Sequence, residues 1–329
     1  MLSGGNLMVD LIIPTYKARD TLPKALDSLL TQTKQLFITT IVQDCDGEDY
    51  SDIVEEYRKR GLQIRYICTE ENIGPGRARQ YAMDTDTMCD YFMFMDSDDM
   101  LMPRAIEVLY KEAKLKNADI VISSFIAERN HQPGLYLDVD TTPVTWTHGK
   151  IYKAQYLRDN NIRFADCLRL NEDSYFNLVA VNCAKEKYKI KEVTYLWRDT
   201  PSSLTRMAGT EGFFKNSWKE YIYSQVQGLL DIERITGEIE PTLAAATINN
   251  MYNHTMEAIY HNFDVTEIIP LCQRLKDSKA LNTVMQNSTF WTTIHNIVKG
   301  SQLTKNNLIF YKMRFCDWFA QFVLGRESL

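Results

Sequence analysis

An α/β fold on a mostly parallel sheet, followed by a helical extension, is what the 329-residue sequence predicts, and three features predict it. Short apolar runs of β character alternate with amphipathic stretches over residues 9–128. The loops after four of those runs are crowded with polar and charged side chains. Beyond Thr205 the β pattern gives way to helical spacing.

Five runs read as strands: VDLII (9–13), FITTIVQ (37–43), QIRYIC (63–68), DYFMFM (90–95) and DIVISSFIA (119–127). Between them, residues 21–30 carry helix-spaced Leu22, Leu26, Leu29 and Leu30 behind Asp20 as N-cap. Residues 52–59, 76–83 and 103–115 are the other crossover helices, the last opened by a proline in its first turn. Residues 129–150 lack a period and read as an irregular loop; 152–160 and 172–183 read as helices, and 188–198 as a strand. Helical spacing returns at 211–236, 240–261 and 303–324. The expected organisation is a flexible leader (1–7), an α/β domain (8–205) and a helical C-terminal region (206–329).

Composition narrows the function classes. Hydrophobic residues at 45% and charged residues at 24% exclude disordered and fibrous chains. Lys and Arg number 37 against 43 Asp and Glu, a net −6, so no global positive field recruits nucleic acid. Seven cysteines without a CxxC pair suggest neither a disulfide framework nor a zinc ribbon, and a reduced, cytoplasmic setting is expected. No apolar run reaches the roughly 18 residues of a membrane span.

Open parallel sheets bind ligands beyond the carboxyl ends of their strands. The residues there are Pro14, Thr15 and Tyr16; DCDGED (44–49); ENIGPGRARQ (71–80); and DSDD (96–99). Asp96 and Asp98 suit a hard cation, Mg²⁺ or Mn²⁺, that completes its shell with substrate phosphates, which implies a phosphorylated donor. The same residues also suit a strand-end turn in which Asp98 or Asp99 caps the helix at Pro103. Tyr16 offers a face for a nucleobase, or only a turn position. Asp44 suits a base N–H, or a turn with Asp46 and Gly47. The glycines of 71–80 precede a helix whose first amides attract anions, with Arg77 and Arg79 near; a turn with solvated arginines is the other reading.

Together and in this order, the four loops resemble the GT-A glycosyltransferases, in particular glycosyltransferase family 2, whose N-terminal halves run through PTYN, DDGS, NxGxxxARN and DSDD. The resemblance covers about the first 205 residues. Gln43 and Cys45 stand where the family has Asp and Gly, Gln80 where it has Asn, and Asp44 matches the second Asp. The resemblance implies inverting, metal-dependent transfer of a hexosyl or N-acetylhexosaminyl group from a nucleotide sugar, a UDP-sugar. Pro14, Thr15, Tyr16 and Asp44 would hold the base, with Asn72 and Arg79 supporting that loop. Asp96 and Ser97 would face the ribose side, and Asp96 and Asp98 the Mn²⁺ or Mg²⁺. RLNEDSYFN (169–177) carries the family's ED pair, which makes Asp173 the base for the acceptor hydroxyl and sets Glu172 beside it; on the residues alone it is also a helix start behind Asn171.

HGKIYKAQYL (148–157) resembles the stretch before that pair and places His148 and Lys150 among the substrate contacts. YLWRDTPSSLT (195–205) resembles the family's Tyr-aromatic-Arg…Ser-x-Thr ending, where Arg198 or Ser203 approaches the diphosphate. Structural hydrogen bonding is the other reading of His148, Lys150 and Arg198. The expected acceptor is a glycan, a lipid-linked compound or another hydroxyl compound. The aromatic stretch 306–324 packs inward, pairs subunits in a homo-oligomer, or rests with 278–305 on a membrane surface. Residues 278–316 hold five basic residues and no Asp or Glu, which keeps a nucleic-acid acceptor in view. A nucleotidyltransferase is the alternative enzyme, although PTYKARD is a poor Gly-rich loop; a non-catalytic sugar-nucleotide or glycan-binding module is the alternative outside catalysis.

Overall fold

Strand β1 (Val9–Thr15) is buried along its whole length, as a near-continuous apolar run inside a sheet must be. It lies parallel to β2 (Phe37–Gln43) on one side and β4 (Tyr91–Phe94) on the other, and β3 (Ile64–Cys68) continues parallel beyond β2. Pro14, without an N–H, stands past Ile12, the last β1 residue paired with β4. Asp10 interrupts the apolar run at 0% exposure and is compensated across the sheet. Thr40 Oγ1 donates to it at 2.6 Å and Arg65 Nη2 at 3.1 Å, so the buried charge is paired as it must be.

In this computed structural model residues 9–85, 89–128, 136–139, 146–198, 200, 211–300 and 314–326 are described; the expected leader 1–7, Ser203 and residues 303–313 of the last expected helix lie outside them. The chain divides into two units, Met1–Arg206 and Met207–Leu329.

Helices α1 (Leu22–Leu30), α2 (Ser51–Lys59), α3 (Pro75–Asp84) and α4 (Ala105–Lys116) connect the first strands. The N-cap of α1 is Thr21, not the expected Asp20, because Pro23 already fixes the first turn. A two-residue strand, β5 (Met100–Leu101), separates the DSDD loop from α4, which begins behind Arg104 without a side-chain cap. Neither Asp98 nor Asp99 therefore caps a helix. α4 ends on Asn117 at φ 49°, a left-handed conformation asparagine tolerates.

Past β4 the sheet departs from simple βα repetition. β6 (Ile120–Glu128) is not the neighbour of β4; β8 (Lys150–Lys153) lies between them, antiparallel to both. The expected helix at 152–160 is only α5 (Ala154–Asp159), and within the expected loop 129–150 β7 (Tyr136–Val139) pairs antiparallel with β6. Ile151 and Tyr152 fit a strand or a helix period equally, and pairing with Met93 and Phe92 decides for the strand. Helix α6 (Glu172–Cys183) precedes β9 (Lys187–Trp197), which lies parallel to β6. The order is β3-β2-β1-β4-β8-β6-β9-β5. The first residues of antiparallel β8 thus share one sheet edge with the carboxyl ends of β1 to β4, β6 and β9.

The second unit is helical: α7 (Glu211–Thr236), α8 (Pro241–Tyr260), α9 (Ile269–Gln273), α10 (Lys279–Met285) and α11 (Ser288–Gly300). Ile222, Val226 and Leu229 of α7 and Ile248, Met251 and Tyr252 of α8 are buried at helix spacing. Residues 314–318 are helical and lead into a π-helical turn, Phe319–Val323. Phe315, Trp318, Phe319 and Phe322 are buried, and Tyr252 meets the Phe315 ring at 5.4 Å, so these aromatic side chains pack inward. Among the described residues no helix is long and apolar enough to cross a membrane.

Candidate active site

The carboxyl-end edge brings together the four loops and the start of α6. Pro14 and Thr15 are buried as the last residues of β1, whereas the Tyr16 ring just beyond is 49% exposed. After β2, Asp44 turns inward: its carboxylate accepts from the amides of Ile73 and Gly74, each at 2.7 Å, and from Thr69 Oγ1 at 3.3 Å. The anion at the start of α3 is therefore Asp44 itself, in place of the ligand anion expected there. Asn72 Nδ2 donates to the Asp44 carbonyl at 3.2 Å and ties the two loops. Gly74, at φ 84°, makes the turn into α3 in a conformation that suits glycine.

Gln43, in the place of the family Asp, is a buried junction: its Nε2 donates to Asp46 Oδ1 at 2.8 Å, and Tyr66 Oη and Cys68 Sγ donate to its Oε1. Gln80, in the place of Asn, accepts from the Phe164 amide at 2.9 Å. Asp46 pairs with Tyr50 Oη and the Lys17 amide, each at 2.6 Å.

Arg79 is placed otherwise than expected. It lies a turn into α3, only 4% exposed, and supports the DSDD loop and not the base loop. Nη2 donates to Asp96 Oδ1 at 2.5 Å and Nη1 to Glu172 Oε1 at 3.0 Å, with the Phe164 ring 5.8 Å away. One guanidinium thus joins the DSDD carboxylates to the ED pair. Burial pushes Glu172 above the usual carboxylate range, helped by the charge of Asp173 and opposed by Arg79. Burial also raises Asp173, to about 6, against the pull of Arg79 and Lys150. Asn171, at φ 60°, turns the chain into α6; the Ser174 amide donates to Asp173 Oδ1 at 2.7 Å. Asn177 Nδ2 donates to the Asp173 carbonyl, and buried Tyr152 Oη donates to Asn177 Oδ1 at 2.6 Å, so β8 braces the first turn of α6.

Within DSDD, Asp99 is fully committed: Tyr195 Oη donates to it at 2.6 Å and the Arg198 amide at 2.8 Å. Arg198 Nη1 reaches the Asp98 carbonyl at 3.4 Å, which makes Arg198 a brace for this loop. Asp98 Oδ2 accepts from Thr200 Oγ1 at 2.5 Å, and Ser97 sits half-buried between the two carboxylates. Asp96 and Asp98 each keep an oxygen outside these bonds. Hard oxygen donors, few in number, fit Mg²⁺ or Mn²⁺ sharing its shell with phosphate oxygens. Among the described residues no three acidic, imidazole or thiol groups converge on a point to form a cage for a metal ion.

His148 and Lys150 are buried at 8% and 1% exposure, not on the surface. Lys150 Nζ donates to the Trp146 carbonyl, and burial pushes its amine down to about 7 while Asp173 pulls the other way. The His148 ring stacks on Tyr195 at 4.7 Å and on Trp146 at 5.3 Å.

The sequence reading gave no site role to Gly76, Trp146, Tyr195, Trp197 or Thr200. A signal existed for Gly76: a glycine inside the first turn of a helix costs stability unless something packs close. A Cβ on Gly76 would lie 2.6 Å from Glu172 Cγ and 2.8 Å from Glu172 Cβ. Gly76→Ala is expected to destabilise the fold by about 1–3 kcal/mol and to lower activity by moving α6. Thermal melting and turnover check this; a stable, fully active variant would refute the close packing.

Residues 10–170 match the family model described as glycosyl transferase family 2. The chain is 27% identical over 240 residues to an uncharacterized glycosyltransferase, EpsJ of Bacillus subtilis (strain 168), covering 67% of this chain and 68% of that protein. It is 28% identical over 193 residues to a poly(ribitol-phosphate) beta-glucosyltransferase of Bacillus spizizenii, covering 55% of this chain but 30% of that protein. Among solved structures, Staphylococcus aureus TarS 1–349 in complex with UDP-GlcNAc superposes with a TM-score of 0.66 at 19% identity, over 82% of this chain and 80% of that one. At that identity the likeness is one of fold.

Proposed function

We propose that the chain transfers a sugar from a UDP-sugar to an acceptor hydroxyl with inversion, a reading supported by the match of residues 10–170 to the glycosyl transferase family 2 model and by the GT-A fold. The observation that supports this best is the bridge from Arg79 to Asp96 and Glu172. It sets Asp96 of the DSDD loop on one side of a single guanidinium and Glu172, the neighbour of the proposed base Asp173, on the other.

In this reading the exposed Tyr16 ring stacks on the base beside the loop that Asp44 and Asn72 hold. Asp96 and Asp98 would hold Mg²⁺ or Mn²⁺, which when bound neutralises negative charge on the leaving diphosphate. Asp173 takes the proton of the acceptor hydroxyl. The new bond joins the acceptor oxygen to the anomeric carbon as the bond to the diphosphate oxygen breaks on the opposite face. By likeness to the poly(ribitol-phosphate) glucosyltransferase, the acceptor is a hydroxyl of a polyol-phosphate or glycan chain.

The test is release of UDP from a panel of UDP-sugars with Mn²⁺, Mg²⁺ or EDTA, alongside calorimetric binding of UDP. Expected is slow hydrolysis of one donor that requires the cation and is lost in Asp98→Ala. Absence of cation-dependent UDP binding in the wild type would refute the donor site.

A further inference from the structure

We infer that Trp146, His148 and Trp197 form a subsite for a sugar ring at the same sheet edge, on the side of Asp96 away from Tyr16; the inference rests on the proposed reaction. In the sheet order, Asp44 and Tyr16 follow β2 and β1, Asp96 follows β4, Trp146 and His148 precede β8, and Trp197 ends β9. Base, diphosphate and sugar would lie in that sequence along the edge. The group reaches the DSDD loop through Tyr195, since the Asp96 amide donates to Tyr195 Oη at 3.2 Å and His148 stacks on Tyr195.

Two observations point to a ligand. Trp146 and Trp197, 5.6 Å apart, are only partly buried, and an indole face suits the C–H face of a pyranose. His148 Nε2 is buried and has no hydrogen-bond partner. An unpartnered buried nitrogen is costly, and a sugar hydroxyl would satisfy it. Burial, with Lys150 and Arg79 nearby, holds the imidazole well below its ordinary pKa, so it stays neutral and can donate or accept. Phe125, edge-on at 4.7 Å, fixes the ring.

His148→Phe keeps the stack and removes the nitrogen. Calorimetry compares UDP with UDP-GlcNAc, and saturation-transfer NMR with UDP present follows methyl β-N-acetylglucosaminide. Expected is unchanged UDP affinity with about a tenfold loss for one sugar probe: loss confined to UDP-GlcNAc assigns the donor sugar, loss confined to the glycoside the acceptor sugar. In the wild type, the ¹⁵Nε2 signal of His148 should shift with that probe and not with UDP alone, a readout independent of whether the variant folds. UDP binding with neither probe affected and no shift would overturn the subsite. No UDP binding at all would overturn the proposed reaction and the subsite with it.

Discussion

Asp173→Asn is expected to lower transfer by about 100- to 10,000-fold while UDP affinity and thermal stability are retained. The amide keeps the shape of the carboxylate and its place in the first turn of α6, where the Ser174 amide and Asn177 hold it, but it cannot take a proton. Stability should not fall, and the sign follows from the direction of the shift. Burial raises the folded pKa of Asp173 above its unfolded value. Its contribution is therefore present below the unfolded pKa and lost as pH rises through the folded one, and a neutral amide escapes that loss. For the same reason the wild-type rate should fall as pH falls through about 6, where Asp173 gains its proton. Single-turnover rates from pH 5 to 8, with UDP titrations of both proteins, check this. A variant that transfers at the wild-type rate would remove Asp173 from the chemistry.

Arg79→Leu is expected to cost about 3–5 kcal/mol of stability and to abolish activity. The substitution leaves Glu172, 8% exposed, without its counter-charge and next to Asp173, and releases Asp96 from its partner. Pairing it with Glu172→Leu should recover part of the loss, because two apolar side chains leave no stranded charge at that position. Arg79→Lys should retain the charge but not both contacts, since one ammonium lacks the planar fork that reaches two carboxylates. Urea unfolding of the three variants decides between a bridge and two independent surface pairs, for which each loss would stay below about 1 kcal/mol.

Local signals made much of this legible. The apolar runs of β1 to β4 announce a parallel sheet, and α6 and α7 begin and end where their periodicity says, Glu172–Cys183 and Glu211–Thr236. The carboxyl-end rule then gathers Tyr16, Asp44, Asn72 and Asp96 at one edge without any tertiary information. What stayed hidden depends on partners far along the chain. β8 is four residues long and owes its state to pairing with β4 and β6. Arg79 meets Glu172, and Gly76 makes room for it, across more than 90 residues. Asp44 looks like a ligand contact until the amides of Ile73 and Gly74 close on it. Helix α11 and the short helices between it and α8 escaped; around α9, Pro270 and 3₁₀ turns break the period.

Stereochemistry tests the proposed reaction most directly. With Mg²⁺ and whichever UDP-sugar the protein hydrolyses, proton NMR identifies the first anomer released before mutarotation. A single displacement driven by Asp173 gives the configuration opposite to that of the donor, and Asp173→Asn gives no signal above background. First release of the donor's own configuration would contradict one-step inversion and the role assigned to Asp173.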